Sequence, residues 1–182
     1  SGLSMPIGFK NGTDGSASTA INAMEAAARS HHFLGINKDG HAAIVTTTGN
    51  PDGHLVLRGG KQGTNYHPEA VEAAAAALAK DGLPARVMVD CSHGNSNKDY
   101  RRQAEVAGQV ANQLRSGSRH VMGVMLESHL VAGSQKIPSD LSKLTYGQSI
   151  TDACIDLSST REVLAELAAA VAEGNRSPLA VA

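Results

Sequence analysis

Tryptophan is absent from this chain of 182 residues, and aromatic residues together make up only 3% of it. A core without aromatic bulk must be assembled from Ala, Val, Leu, Ile and Met, as alanine-rich helices packed on a sheet would do. Charge of one sign is not in excess either, since sixteen Lys and Arg stand against seventeen Asp and Glu. A general nucleic-acid binder carries a basic surplus, so that class is excluded, and any anion site must be local. No apolar run approaches the roughly 20 residues that span a bilayer, and the opening residues do not read as a secretory leader. Two cysteines, Cys91 and Cys154, do not make a disulfide framework. A reducing cytoplasm is therefore the expected location.

What remains suffices for one domain over residues 1–182, with 41% hydrophobic residues to build a core. The first segment, MPIGFK, reads as a short strand, and Ser16 to Ser30 as a helix capped by Ser16 or Ser18. Asp39-Gly40 and Asp52-Gly53 are turn signals between β-rich runs, which predicts an inserted antiparallel hairpin over about residues 31–58. Pro68 opens an alanine-rich helix that Gly82 ends. ARVMVDC and VMGVMLES read as buried parallel strands, with a long amphipathic helix between them stopped by Gly117. The stretch from His129 to Gln148 is long for a loop and so reads as a working one. A short strand around TDACI leads into a last helix, where Ser159 and Glu162 have capping-box spacing. This alternation fits a doubly wound sheet or a (β/α)₈ barrel, and its five or so βα units fall short of the eight in a full barrel of about 250 residues. The glycine-rich, charged GFKNGTDG begins within a few residues of the start, as expected of a fragment of something longer.

Polar residues fall where strands end. Lys10 ends the first strand, Arg58 ends HLVL and His93 lies just past VMVDC. Glu127 closes VMGVML, and Asp152 lies at or just before the last short strand. In an α/β barrel, the carboxyl ends of the strands converge on one mouth, where such residues serve chemistry rather than stability. A lysine point charge and an arginine fork beside glycines suit a small phosphate or carboxylate. KNGTDG and RGGKQG are neither Walker A nor dinucleotide loops, and spacing alone leaves both bases equally readable as surface charges. His93, Glu127 and Asp152 form an N/O/O set suited to manganese, iron(II) or zinc, although each taken singly is more often an ordinary residue. Cys91 and Cys154 lie in apolar runs and read as inert buried thiols. His31, His32, His41, His54 and His67 read as structural or solvated, and His129 as a possible neighbour of the metal set. No GxSxG elbow is present, so acyl hydrolysis has no support.

Five segments in order, GFKNGTDG, LRGGKQGTNY, MVDCSHGNSNKDY, GVMLESHLVAGSQ and YGQSITDACID, resemble class I 3-deoxy-D-arabino-heptulosonate-7-phosphate (DAHP) synthases of bacteria and fungi. The resemblance extends to about Ala172. It implies a (β/α)₈ TIM barrel of which this chain supplies the fourth strand onward. It also implies condensation of phosphoenolpyruvate with erythrose 4-phosphate, the first step of the shikimate pathway to aromatic amino acids. By position, Lys10 and Arg58 match residues on phosphoenolpyruvate. His93, Glu127 and Asp152 match three of four ligands to a divalent metal: Mn²⁺ first, with Fe²⁺, Co²⁺ or Zn²⁺ as alternatives. Asp152 also matches a contact to the aldose phosphate.

The fourth ligand of the family is a cysteine that neither Cys91 nor Cys154 matches, and the family's KPRTT and GARTTESQ substrate segments are not in this sequence. The isolated chain is accordingly expected to be inactive and to associate with copies of itself. The hairpin, with Phe33 and Gly35, matches a region that binds an aromatic amino acid effector. The rival readings are the related 3-deoxy-D-manno-octulosonate 8-phosphate synthase and a non-catalytic half-barrel subunit.

Overall fold

The computed structural model describes residues 1–175; residues 176–182, which the expected domain includes, lie outside the described residues. Four strands form a parallel sheet: β1 (Ile7–Lys10), β4 (Gly53–Leu57), β5 (Val87–Asp90) and β6 (Val121–Met125), hydrogen-bonded in that order. The register pairs Phe9 with Leu55, Leu57 with Val89, and Val89 with Val124. All four strands run the same way, so Lys10, Arg58, Asp90 and the chain leading to Glu127 leave the sheet at one end.

Apolar runs bury the two central strands, β4 and β5, whereas the edge strands β1 and β6 are only half-buried. VMGVM, expected as a buried strand, leaves Met122 exposed because β6 has one neighbour in the sheet among the described residues. Leu55, Leu57, Val87, Val89 and Val121 form one core with Met24, Leu78, Val106 and Val110 from the helices. Each such side chain taken out of water contributes about 1.5–3 kcal/mol. Helix α1 (Ser18–Ala28) covers β1 and β4, and α2 (Pro68–Lys80) packs on β5. Helix α3 (Gln103–Arg115) lies against β6 and against α4 (Leu157–Gly174). The α3–α4 contact carries ion pairs from Arg115 to Glu166 at 3.6 Å and to Glu173 at 3.0 Å. No helix among the described residues is long and apolar enough to cross a membrane.

Several boundaries differ from the sequence expectation. The antiparallel pair is β2 (His32–Ile36) with β3 (Ala42–Thr46), turning at Asp39-Gly40. Asp52-Gly53 makes no second hairpin, because Gly53 starts β4 and pairs in parallel with Ile7. Leu55, Val56 and Leu57 are buried in a strand paired with β1 on one side and β5 on the other, and that tertiary pairing overrides the local turn signal. The long stretch after His129 is not structureless: it holds β7 (Val131–Ser134), a 3₁₀ turn (Leu141–Lys143) and β8 (Gln148–Ser149), with β7 and β8 parallel. The strand expected around TDACI shrinks to single bridges, Gly133 with Cys154 and Ser128 with Ile155. Helix α4 is capped by Asp156, whose carboxylate accepts from the Ser159 N–H at 2.8 Å, so Ser159 lies inside the first turn. Helix α1 starts at Ser18 without a side-chain cap, after a weak Ser16 Oγ contact of 3.4 Å to the Ser18 N–H.

Candidate metal and anion site

Three segments from different strands bring His93, Glu127 and Asp152 together. His93 Nε2 lies 3.7 Å from Glu127 Oε1 and 3.7 Å from Asp152 Oδ2. One donor atom from each of the three falls within 4.8 Å of the others. Ligands held around a single ion at about 2.0–2.2 Å stand roughly 3–4.4 Å apart, so the two measured separations suit a shared divalent cation. One imidazole nitrogen and two carboxylate oxygens are a donor set for such an ion. His93 is mostly enclosed, Glu127 about one-third exposed and Asp152 open to solvent, which leaves one side accessible.

Behind His93 stands Asp90, whose side chain is fully buried. Its Oδ1 accepts from the Ser92 N–H at 2.9 Å, and its Oδ2 accepts from Lys10 Nζ at 3.1 Å. The same Oδ2 lies 2.8 Å from His93 Nδ1, although the ring N–H lacks the alignment of a full hydrogen bond. A buried carboxylate is tolerated because these donors surround it. Asp90 thus joins the lysine and the histidine, with its backbone in a buried strand.

His93 itself has φ 49°, in the left-handed region, as do Asn97 (54°) and Lys98 (61°). Side chains rarely adopt this conformation, and it persists where surrounding contacts over-determine it. Here the Lys98 N–H donates to the His93 carbonyl at 2.8 Å, and the Asn95 and Ser96 N–H groups both donate to the Ser92 carbonyl.

Three buried or half-buried asparagines tie the strand-end loops together. Asn11 Oδ1 accepts from the Arg58 N–H at 2.7 Å, while its Nδ2 donates to the Gly59 carbonyl at 3.0 Å. Asn65 Oδ1 accepts from the Gly59 N–H, and Asn95 Oδ1 accepts from the Asn65 N–H. Asn95 Nδ2 donates to the carbonyls of Leu57 and Asp90. The backbones approach so closely that a Cβ on Gly59 would lie 2.6 Å from the Gly94 carbonyl carbon, and one on Gly94 would lie 2.8 Å from the Arg58 oxygen.

Between these loops opens a cleft of about 420 Å³, lined by Thr13, Arg58, Lys61, Asn97 and Lys98 with glycine backbone. Among the described residues, none of these three cations takes part in a salt bridge. Free cations beside accessible backbone suit a phosphate or carboxylate. A larger cleft of about 520 Å³ between α2 and α3 contains none of the strand-end residues.

Of the residues expected at one rim, Lys10, His93, Glu127 and Asp152 are joined through Asp90 and His93, and Arg58 lines the neighbouring cleft. His129 is exposed, its Nδ1 accepts from the Leu130 N–H at 2.8 Å, and it is not among the three residues whose donor atoms gather. Both cysteines are buried. Burial, with Asp90 adding to it, pushes the Cys91 thiol up to about 12. Burial, with Glu127 and Asp152 nearby, raises the Cys154 thiol. Both stay protonated near neutrality, as inert thiols do. Sequence reading missed Asp90, Gln103 and the asparagines. The available signal was Asp90 itself, a carboxylate closing an otherwise apolar buried run.

A parallel α/β sheet whose strand ends gather an imidazole, two carboxylates and several cations outside any salt bridge is a candidate site for a divalent cation beside small anions. The chain belongs to the DAHP synthetase I family, whose model matches residues 1–165. It is 53% identical over 167 residues to the Tyr-sensitive phospho-2-dehydro-3-deoxyheptonate aldolase of Escherichia coli, covering 92% of this chain and 47% of that one. It is 51% identical over 177 residues to the phenylalanine-inhibited enzyme of Saccharomyces cerevisiae, covering 94% and 48%. The solved phospho-2-dehydro-3-deoxyheptonate aldolase of Francisella tularensis superposes with a TM-score of 0.88 at 46% identity, over 95% of this chain and 50% of that one. The chain therefore spans about half the length of these relatives.

Proposed function

We propose that this chain is the carboxyl-side portion of a metal-dependent DAHP synthase, a transferase that condenses phosphoenolpyruvate with erythrose 4-phosphate and releases phosphate. Its parallel sheet is then part of a (β/α)₈ barrel from the fourth strand onward. The observation that carries the reading is the meeting of His93, Glu127 and Asp152 from separate strand ends, with Lys10 one carboxylate away. The relatives' names, all heptonate aldolases, favour the four-carbon acceptor over the octulosonate reaction. Among the described residues, β1 and β6 each have one neighbour in the sheet. This supports a partial barrel, completed by the rest of a longer chain or by association of copies.

In this reading a bond forms between C3 of phosphoenolpyruvate and the aldehyde carbon, water adds at C2, and inorganic phosphate leaves. His93, Glu127 and Asp152 would hold the cation, Mn²⁺ first, with Fe²⁺, Co²⁺ or Zn²⁺ as alternatives. When bound, that ion supplies Lewis-acid polarisation or water activation. Lys10 and Arg58 neutralise phosphoenolpyruvate, which the carboxylates of Glu127 and Asp152 would otherwise repel. Asp152, the most exposed of the three, also has room to accept from a hydroxyl of the sugar phosphate. The β2–β3 hairpin exposes Phe33, Leu34, Ile36 and Ile44. Such an uncovered apolar strip suits an aromatic amino acid effector around Phe33 and Gly35, together with chain outside this sequence.

The test is His93→Ala in the full-length synthase. It abolishes turnover and leaves the purified protein without stoichiometric metal by elemental analysis. Wild-type metal content in that variant overturns the assignment. Residues 1–182 alone give no turnover with both substrates and manganese, and turnover there overturns the requirement for the missing segments.

A further inference from the structure

Asp90 offers two oxygens with divided duties. Oδ1 takes the Ser92 N–H, and Oδ2 faces both Lys10 Nζ at 3.1 Å and His93 Nδ1 at 2.8 Å. Every polar neighbour of this fully buried carboxylate is a donor or a ring nitrogen that can donate. A ring N–H at Nδ1 is attracted to this oxygen at 2.8 Å even though it stands off the axis of a full hydrogen bond, whereas a lone pair at Nδ1 would face the oxygen across the same distance and be repelled. The close approach of Oδ2 therefore favours the His93 tautomer that carries its proton on Nδ1 and presents the Nε2 lone pair to Glu127 and Asp152. Hydrogen bonding at one ring nitrogen generally decides which nitrogen binds metal, and fixes the ring's orientation.

We infer that Asp90 is the positioning residue of the site, holding His93 in its metal-binding tautomer and Lys10 at a fixed distance from it through one shared oxygen. This rests on the metal-site reading above. Asparagine cannot replace it. Its single oxygen can serve either Ser92 or the Lys10–His93 side, and its NH₂ would then point at a donor.

The test uses Asp90→Asn in the full-length synthase, with manganese(II) alone as the probe. The ¹⁵N signals of His93 are followed in the metal-free wild type and in the variant, and thermal unfolding of the metal-free forms reports on folding. Expected are an Nδ1–H signature in the wild type, loss of the single tautomer in the variant, and manganese affinity weaker by about 10- to 100-fold. A purely structural role for Asp90 would change the unfolding midpoint and leave tautomer and affinity alone, which overturns the inference. Should the variant fail to fold, the wild-type spectrum decides, since an Nε2–H tautomer there refutes it. A wild type that binds no manganese defeats the metal-site reading, while the tautomer measurement still judges Asp90 separately.

Discussion

The side-chain amide of Gln103 pairs with the main chain of Glu127 in both directions. Its Oε1 accepts from the Glu127 N–H at 2.8 Å, and its Nε2 donates to the Glu127 carbonyl at 3.0 Å. Gln103 is fully buried at the start of α3, so it acts beside the end of β6 as one more peptide of the sheet would. The Glu127 carbonyl also accepts from the Ile155 N–H at 3.0 Å, whereas its N–H depends on Gln103. Gln103→Leu keeps the volume and orphans that N–H, which costs about 1–3 kcal/mol. Denaturant unfolding is expected to show this loss, together with weaker manganese binding as Glu127 loses its fixed direction. Unchanged stability would mean that water reaches the site.

Backbone contact between the loops after β4 and β5 gives a second expectation. At Gly59, φ is +69° and an added Cβ would lie 2.6 Å from backbone, which nothing flexible can relieve. Gly94 has ordinary space in φ but faces the Arg58 oxygen at 2.8 Å. Gly59→Ala should therefore destabilise more than Gly94→Ala, by at least about 1 kcal/mol from the left-handed backbone alone. Both variants should raise KM for phosphoenolpyruvate, because the same loops carry Arg58 and His93. Thermal unfolding and steady-state kinetics check the order.

Arg58 tests whether the cleft reads anions by shape or by charge. Its backbone is fixed by Asn11, and its side chain shares the cleft with Lys61 and Lys98. Lysine at this position keeps the charge and loses the planar fork. Arg58→Lys is expected to raise KM for phosphoenolpyruvate by about tenfold or more, the equivalent of roughly 1.4 kcal/mol. Lys61→Ala and Lys98→Ala, both at exposed positions, should produce smaller effects that fade with added salt. An unchanged KM in Arg58→Lys beside clear losses in Lys61→Ala and Lys98→Ala would show that net charge alone matters.

Much of this site was legible because strand ends can be read from apolar runs. VMVDC announces a buried strand and VMGVML a strand that the sheet edge leaves half-exposed, and their parallel pairing then forces His93 and Glu127 to one end. Pro68 and Gly82 bracket α2 by backbone constraints that act locally. The asparagine ties were not legible, since each joins residues far apart in sequence: Asn11 to Arg58 over 47 positions, Asn95 to Leu57 over 38. Asp90 looked like a strand terminus because Lys10, 80 positions away, reaches it only once β1 and β5 lie two strands apart in one sheet, and because the turn that brings His93 back onto it needs left-handed backbone at His93. Asp52-Gly53 misled for the opposite reason, as a dipeptide that favours a turn also serves as the entry to a strand.

Cys91 supplies a pH-dependent expectation that does not involve turnover. It is fully buried at the end of β5, and burial with Asp90 nearby pushes its thiol up to about 12 from an ordinary value of 9.0. Between those values the unfolded chain loses the proton while the folded chain keeps it. The folded state then binds more protons, so stability falls as pH rises, by at most about 1.4 kcal/mol per pH unit for this one group. The contribution is fully present below pH 9 and is lost as pH rises through the folded value. Other alkaline titrations are shared with Cys91→Ala and cancel in the difference. The stability gap between wild type and Cys91→Ala, measured by urea unfolding at pH 8 and pH 10, should therefore shift toward the alanine variant at the higher pH. A gap that stays constant would mean that the thiol ionises in the folded protein as readily as in the unfolded chain. In that case Cys91 should also react with a thiol reagent under native conditions, which burial otherwise forbids.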